Sequence, residues 1–185
     1  MTAPATAYVG VGSNLGGPGT RVRAAIEALR ALGRVRASSL YRTEPLGDPG
    51  QPWYLNAVCE LRTGLAPEPL LAELQSLERR AGRPEPRACW GPRVLDLDLL
   101  LYDQVVVSSR ALELPHPRFH QRRFVLEPLA ELAPGLRAPR LGRSVRELLD
   151  TLEDPLRVYR IPKIFLNPAS TGVIASAPAP EVQTR

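Results

Sequence analysis

Trp90-Gly91-Pro92-Arg93-Val94-Leu95-Asp96-Leu97-Asp98-Leu99-Leu100-Leu101-Tyr102 decides how this chain is read. From Val94 the residues alternate with the period of a β-strand. Leu95, Leu97 and Leu99 fall on one face, Asp96 and Asp98 on the other. Residues two apart on a strand face stand about 6.5–7 Å apart. Flexible carboxylates at that spacing suit a pair of Mg²⁺ ions about 3.5–4 Å apart. Mg²⁺ takes oxygen ligands and fills its shell with substrate phosphates. Alternation alone describes an edge strand with a solvated acidic face equally well.

Upstream of this strand, Pro67 opens a helix whose stripe is Leu70, Leu71, Leu74 and Leu77, with Gln75 and Glu78 sharing a separate polar face. Gly82 ends it, and the loop Arg83–Cys89 leads to Trp90. Further back, Leu55 to Thr63 alternates Leu55, Ala57, Cys59 and Leu61 against Asn56, Val58, Glu60 and Arg62, a third strand. A second strand spans Val35 to Thr43, joined to the third by the proline- and glycine-rich loop Glu44 to Trp53, so the two are antiparallel. At the N-terminus a short strand, Ala7 to Val11, meets the turn Gly12–Gly17 and a helix from Pro18 to Leu32 capped by Gly33. That turn matches neither nucleotide-binding glycine motif and reads as a tight structural turn.

Downstream, Val105 to Val107 is expected to pair back as a hairpin through Asp103-Gln104. Leu114-Pro115-His116-Pro117 is a stiff segment holding His116, by pattern a structural histidine satisfied by backbone groups, and a short helix opens at Arg122-Arg123-Phe124. Ser144 with Glu147 forms a capping box for a last helix burying Val145, Leu148, Leu149 and Leu152. Periodicity ends near Arg157. The expected division is a domain over 1–156 and a disordered Pro/Ala/Ser-rich tail over 157–185, with nothing to decide whether Ile161–Leu166 docks on the body.

A chain of 185 residues holds one domain with a substantial core. Its net charge is +5, and all but one of its 24 basic residues are arginine, Lys163 being the exception. Arginine forks suit phosphate and carboxylate, though a coding preference for arginine gives the same composition. Cys59 and Cys89 show neither metal-ligand spacing nor a disulfide framework. No stretch approaches a membrane span or a secretion signal, so a soluble cytoplasmic protein is expected, with no membrane partner.

Taken together, these pieces resemble the 6-hydroxymethyl-7,8-dihydropterin pyrophosphokinase family. The marks are Gly12-Ser13-Asn14-Leu15, Tyr41-Arg42-Thr43 with Pro45-Leu46, and Gln51-Pro52 with Tyr54-Leu55-Asn56-Ala57. They continue through Gln75 and Glu78, Gly82-Arg83, Trp90-Gly91-Pro92-Arg93 with Asp96-Leu97-Asp98, and Pro115-His116 with Arg122 and Phe124. The match runs from about Ala7 to Leu152 and favours the metal reading of the aspartates and a ligand role for His116.

The resemblance implies an α+β fold, a single-domain antiparallel sheet flanked by helices in a ferredoxin-like αβα sandwich. It implies transfer of pyrophosphate from ATP to the pterin hydroxymethyl group with release of AMP, in tetrahydrofolate biosynthesis. Asp96 and Asp98 would hold two Mg²⁺ ions, with Arg83 and Arg93 as further catalytic residues gripping phosphates. ATP would meet Leu71, Gln75, Glu78, Arg83, Trp90, Arg93, Leu99, His116 and Arg122. The pterin would meet Thr43, Glu44 and Leu46 through their backbone, Asn56 at its edge, and Tyr54 and Phe124 on its faces. Loops Gly12–Gly17, Glu44–Trp53 and Arg83–Arg93 would close over the substrates, and a monomer is expected.

Four positions depart from the family pattern. Glu85 stands where a second basic residue is usual, Cys89 where a basic residue precedes the tryptophan, Glu44 where proline is common, and Pro117 where an aromatic is frequent. Arg87 is the candidate substitute for the charge missing at Glu85, and the prolines around it should stiffen that loop. Two readings compete. An arginine-rich nucleic-acid-binding module needs paired aromatics on an open sheet, and aromatics make up only 5% of this chain. A pseudoenzyme keeping the pterin pocket rests on Glu85 and Cys89 alone.

Overall fold

The strand Ala5–Ser13 (β1) buries Ala7, Val9 and Val11 on one face and turns Tyr8, Gly10 and Gly12 to the other. It belongs to a computed structural model that describes residues 3–46, 50–82 and 92–161. Helix Pro18–Leu29 (α1) follows, with proline in its first turn and Val22, Ala25 and Leu29 facing the core. One 3₁₀ turn, Arg30–Leu32, extends it to Gly33. There φ is 156°, and a Cβ would stand 2.1 Å from the Arg62 carbonyl oxygen, so only glycine fits.

The expected strand Val35–Thr43 is two strands, Arg34–Ala37 (β2) and Tyr41–Thr43 (β3). Serine chemistry explains the break. The Ser38 N–H donates to Val58 O at 2.9 Å and its hydroxyl accepts from the Val58 N–H at 3.0 Å, so a side chain replaces a ladder partner. Ser39 turns aside and donates to the Glu131 carboxylate through its N–H (3.1 Å) and its hydroxyl (2.9 Å).

Strand Tyr54–Thr63 (β4) pairs with β1, β2 and β3; helix Pro67–Arg80 (α2) leads to strand Asp96–Tyr102 (β5) at the sheet edge. Among the described residues the sheet has six strands, in the order β5-β1-β4-β3 and then Val158–Arg160, with β2 also beside β4 and every pair antiparallel. Two interleaved β-α-β crossovers give this ferredoxin-like order. Helices α1 and α2 cover the face carrying Val9, Val11, Leu61, Leu97 and Leu99. Helices Arg123–Leu132 (α3) and Val145–Asp150 (α4) cover Tyr8, Val58, Leu100 and Leu101 on the other. The sheet is the middle layer of a sandwich. Among the described residues neither face is the open platform that the nucleic-acid reading requires.

Alternation along β5 breaks at a β-bulge. Tyr8 opposes Leu101 and Val9 opposes Leu99, so Leu100 is the extra residue. Leu100 and Leu101 therefore both pack toward α3, and Tyr102 returns to the α1/α2 side.

The expected hairpin from Val105 to Val107 back onto β5 does not form. Val107–Ser108 (β6) pairs instead with Glu113–Leu114 (β7) in a separate two-stranded ribbon, while Asp103 bonds back to Thr6. The capping box at α4 is present: the Ser144 N–H donates to Glu147 Oε2 at 2.6 Å, and the Glu147 N–H donates to Ser144 Oγ at 3.2 Å. The boundary at Arg157 also needs correction. Val158–Arg160 (β8) pairs with β3, and the Ile161 N–H donates to Leu40 O at 2.8 Å. The rest of the expected tail lies outside the described residues. No helix among them is long and apolar enough to cross a membrane.

Candidate active site

The α3 face of the sheet carries no bulky side chain on β1 at Gly10 and Gly12, and a recess of about 310 Å³ opens there. That is the low end for small-molecule sites. The register of β1 against β5 sets Gly12 opposite Asp96 and Gly10 opposite Asp98, so both carboxylates border the glycine-lined floor beside Leu100. Asn56 enters from β4, opposite Gly12 on the other side. A Cβ on Gly12 would stand 2.6 Å from Asn56 Oδ1, so this glycine makes room for the carboxamide. The Asn56 amide donates to Thr43 Oγ1 at 2.6 Å, which fixes its orientation and leaves its oxygen toward Gly12.

Glu44, Leu46, Tyr54, Arg93, Arg118, Arg122 and Phe124 make up its walls. Arg93 donates to Asp96 Oδ1 at 2.6 Å, and Arg122 lies 3.7 Å from Asp98 Oδ2. The Arg122 guanidinium also sits 5.6 Å over the Phe124 ring, a cation–π contact. Arg157 donates to both oxygens of the Glu44 carboxylate, and these hydrogen bonds hold the carboxyl below the usual carboxylate range.

Two buried residues that sequence reasoning left as turn-formers organise the rim. The Asn14 N–H donates to Arg93 O at 3.0 Å while its side-chain oxygen accepts from the Arg93 N–H at 2.7 Å. The Asn14 amide also donates to Pro52 O at 3.0 Å, and Ser13 Oγ donates to Val94 O at 2.6 Å. Loops distant in sequence are thus tied at one point. Beside the Gly12–Leu15 mark of the resemblance, the local sequence signal is a Ser-Asn pair at a strand end, where such side chains bond to backbone.

All six residues expected for the pterin, Thr43, Glu44, Leu46, Tyr54, Asn56 and Phe124, line this recess together with Arg93, Asp96, Asp98 and Arg122. Leu71, Gln75, Glu78, Leu99 and His116 do not. Leu99 faces the α1/α2 core, and Leu71 packs partly against the same cluster. Glu78 departs from its expected polar face: it is 1% exposed, and its carboxylate accepts the Leu97 N–H at 2.8 Å. It satisfies a donor of the edge strand that β1 does not take. Arg83 and Trp90 lie outside the described residues, as do Glu85, Arg87 and Cys89.

His116 borders the open edge of β5, where its N–H donates to Leu100 O at 2.8 Å. Its Nδ1 accepts from the Arg118 N–H at 3.1 Å, which leaves the proton of the neutral ring on Nε2. Burial first, then the Arg122 and Arg118 charges, push its pKa down to about 4. The ring is therefore a neutral donor near pH 7. The unfolded histidine titrates near 6.5, so the unfolded chain binds more protons between that value and about 4. Stability from this group falls as pH drops through that window. Nitrogen-detected NMR should show Nδ1 unprotonated at pH 5.5; a midpoint near 6.5 would refute this environment.

Among the described residues no third His, Cys, Asp or Glu joins Asp96 and Asp98. Two carboxylates ringed by arginines do not form a complete protein cage. They suit a hard divalent cation that arrives with phosphate oxygens of its own. A carboxylate pair, guanidinium groups and an aromatic-lined recess on a covered α+β sheet suit a phosphate-bearing substrate that arrives with a divalent cation.

The model of the 7,8-dihydro-6-hydroxymethylpterin-pyrophosphokinase family matches residues 8–134. The 2-amino-4-hydroxy-6-hydroxymethyldihydropteridine pyrophosphokinase of Methylorubrum extorquens is 44% identical over 158 residues, covering 84% of this chain and 98% of that protein. The protein of the same name from Pseudomonas aeruginosa is 45% identical over 145 residues, covering 77% and 88%. Among solved structures, a wild-type Plasmodium falciparum HPPK-DHPS chain with pteroate superposes with a TM-score of 0.63 at 13% identity, over 79% of this chain and 42% of that one. This chain thus spans less than half of that longer protein, and the likeness speaks for the fold alone. The chain belongs to the 7,8-dihydro-6-hydroxymethylpterin-pyrophosphokinase family.

Proposed function

We propose that this chain transfers the pyrophosphoryl group of ATP to the hydroxymethyl oxygen of 6-hydroxymethyl-7,8-dihydropterin, releasing AMP, and does so as a monomer. The observation that carries the reading is the shared recess: an aromatic and amide-lined cavity opens directly onto the Asp96/Asp98 pair and its arginines. In this reading the flat pterin lies between Tyr54 and Phe124, with the Asn56 carboxamide and the backbone of Thr43, Glu44 and Leu46 along its edge. Aromatic stacking contributes about 0.5–1.5 kcal/mol per pair beyond area burial. An edge-reading site rejects analogues lacking those groups, because its buried partners would go unpaired.

The hydroxymethyl oxygen attacks the β-phosphorus, the bond from β-phosphorus to the bridging α-phosphate oxygen breaks, and AMP departs. The hydroxyl proton passes to Asp98 or directly to solvent. When bound by Asp96, Asp98 and the triphosphate, Mg²⁺ (two ions in this reading) supplies charge neutralisation at the phosphate oxygens. Arg93 and Arg122 exchange their aspartate partners for phosphate oxygens, which they grip as bidentate forks. Arg83 joins them, and His116 donates from Nε2. Leu71, Gln75, Glu78, Trp90 and Leu99 are assigned to the adenosine end, which rounds the open edge of β5. For Glu78 this is a secondary role beside its bond to Leu97. Positioning and electrostatics carry most of such a transfer.

AMP release with ATP and Mg²⁺ should require the hydroxymethyl dihydropterin and vanish with the analogue lacking the hydroxyl. ADP as product, or AMP formation indifferent to the pterin, would refute the reading.

A further inference from the structure

Strand β8 lies beyond the residues matched by the family model, yet it borders the wall of the recess. Thr43 pairs with Val158 and Arg42 with Tyr159, and the Glu44 N–H extends the ladder by donating to Arg157 O at 3.1 Å. Arg157 answers through three donors. Its backbone N–H reaches Glu44 Oε2 at 2.8 Å, its Nε reaches Oε1 at 2.7 Å, and a terminal guanidinium nitrogen also meets Oε1. The same guanidinium sits 5.2 Å over the Trp53 ring, whose plane stacks on Tyr159 at 5.9 Å and 14°. Trp53 immediately precedes Tyr54, and Glu44 immediately follows Thr43, so Arg157 bridges both ends of the loop that forms the wall.

We infer that Arg157 is a positioning residue for the pterin, holding Glu44 and Trp53 so that the Thr43–Leu46 backbone and the Tyr54 ring stand at the spacing the ligand needs. Tyr159 is its support. The carboxylate at position 44 then has a defined purpose, since a proline there would offer neither the N–H nor the side-chain oxygens that Arg157 engages. Exposed ion pairs add little to global stability, and the Arg157 side chain is 54% exposed. The strap therefore acts on where the loop stands rather than on whether the chain folds. Without it the wall is competent only part of the time, and apparent affinity drops by that fraction.

The inference rests on the proposed reaction, and steady-state kinetics of Arg157→Ala test it. The pterin KM should rise about tenfold, while kcat and the ATP KM stay within about twofold and the urea midpoint does not move. Glu44→Gln should give a smaller rise in pterin KM, and the double variant should be no worse than Arg157→Ala, because both remove one interaction. An unchanged pterin KM would overturn the proposal. So would a rise in both KM values together with a lower urea midpoint, which marks a merely structural role. If Arg157→Ala does not fold, Glu44→Gln decides between these outcomes. If the wild-type protein forms no AMP, the reaction itself is wrong. The strap is then judged by hydrogen exchange at the Glu44 amide, which should speed up in Arg157→Ala.

Discussion

Asp98→Asn is expected to lower kcat by about 10²–10³-fold, the loss typical when one group stabilising transition-state charge is removed. Asparagine keeps the shape and one oxygen but removes the negative charge that a divalent cation needs. Asp96→Asn should behave alike, since both carboxylates border the same glycine floor. The fold should tolerate either change. Each aspartate is partly exposed and loses one arginine partner, Arg122 for Asp98 and Arg93 for Asp96, a loss of about 1 kcal/mol or less. Kinetics at saturating Mg²⁺ and ATP, beside urea unfolding, separate the two effects. Near-wild-type turnover in either variant would remove that residue from the chemistry.

Glu78 should show the opposite profile. Glu78→Ala is expected to reduce folding stability by about 2–3 kcal/mol, because the buried Leu97 N–H loses its charged acceptor. Glu78→Gln keeps an acceptor oxygen and should lose less. If Glu78 served only the nucleotide, Glu78→Ala would raise the ATP KM and leave the urea midpoint in place. Equal midpoints for Glu78→Ala and wild type would contradict the role given to this carboxylate at the edge of β5.

Where apolar residues alternate with period two, the sequence carries the answer. Leu55, Ala57, Cys59 and Leu61 on β4 and Leu95, Leu97 and Leu99 around β5 enter one core cluster, as their alternation required. The Ser144–Glu147 box is equally local, needing only two residues three apart. What escaped depends on contacts between distant segments. Strand β8 exists because Val158–Arg160 finds an edge at β3, more than a hundred residues earlier, and three residues carry no period of their own. The split of β2 from β3 turns on a serine hydroxyl replacing a ladder bond and on Glu131 from α3. The β5 bulge reverses two side chains without leaving a mark in a run of leucines.

The same division holds at the site. The six residues expected for the pterin and the carboxylate pair are legible because the resemblance gives them in order, and they line one recess. The burial of Glu78 is not legible, because Gln75 and Glu78 together read as a polar helix face. Only the partner strand reveals the N–H that Glu78 satisfies. Asn14 escapes for the complementary reason: its four hydrogen bonds run to Gln51, Pro52 and Arg93, on two segments far from it in the sequence.

In the proposed reaction a bond at the β-phosphorus of ATP is broken over Asp96 and Asp98 and remade to the pterin hydroxymethyl oxygen. The most direct test follows ATP labelled at the β-phosphorus during turnover with Mg²⁺ and the hydroxymethyl dihydropterin. The label is expected to leave the nucleotide, appear on the pterin, and match AMP mole for mole. Label retained in ADP, or a pterin product carrying no label, would contradict it.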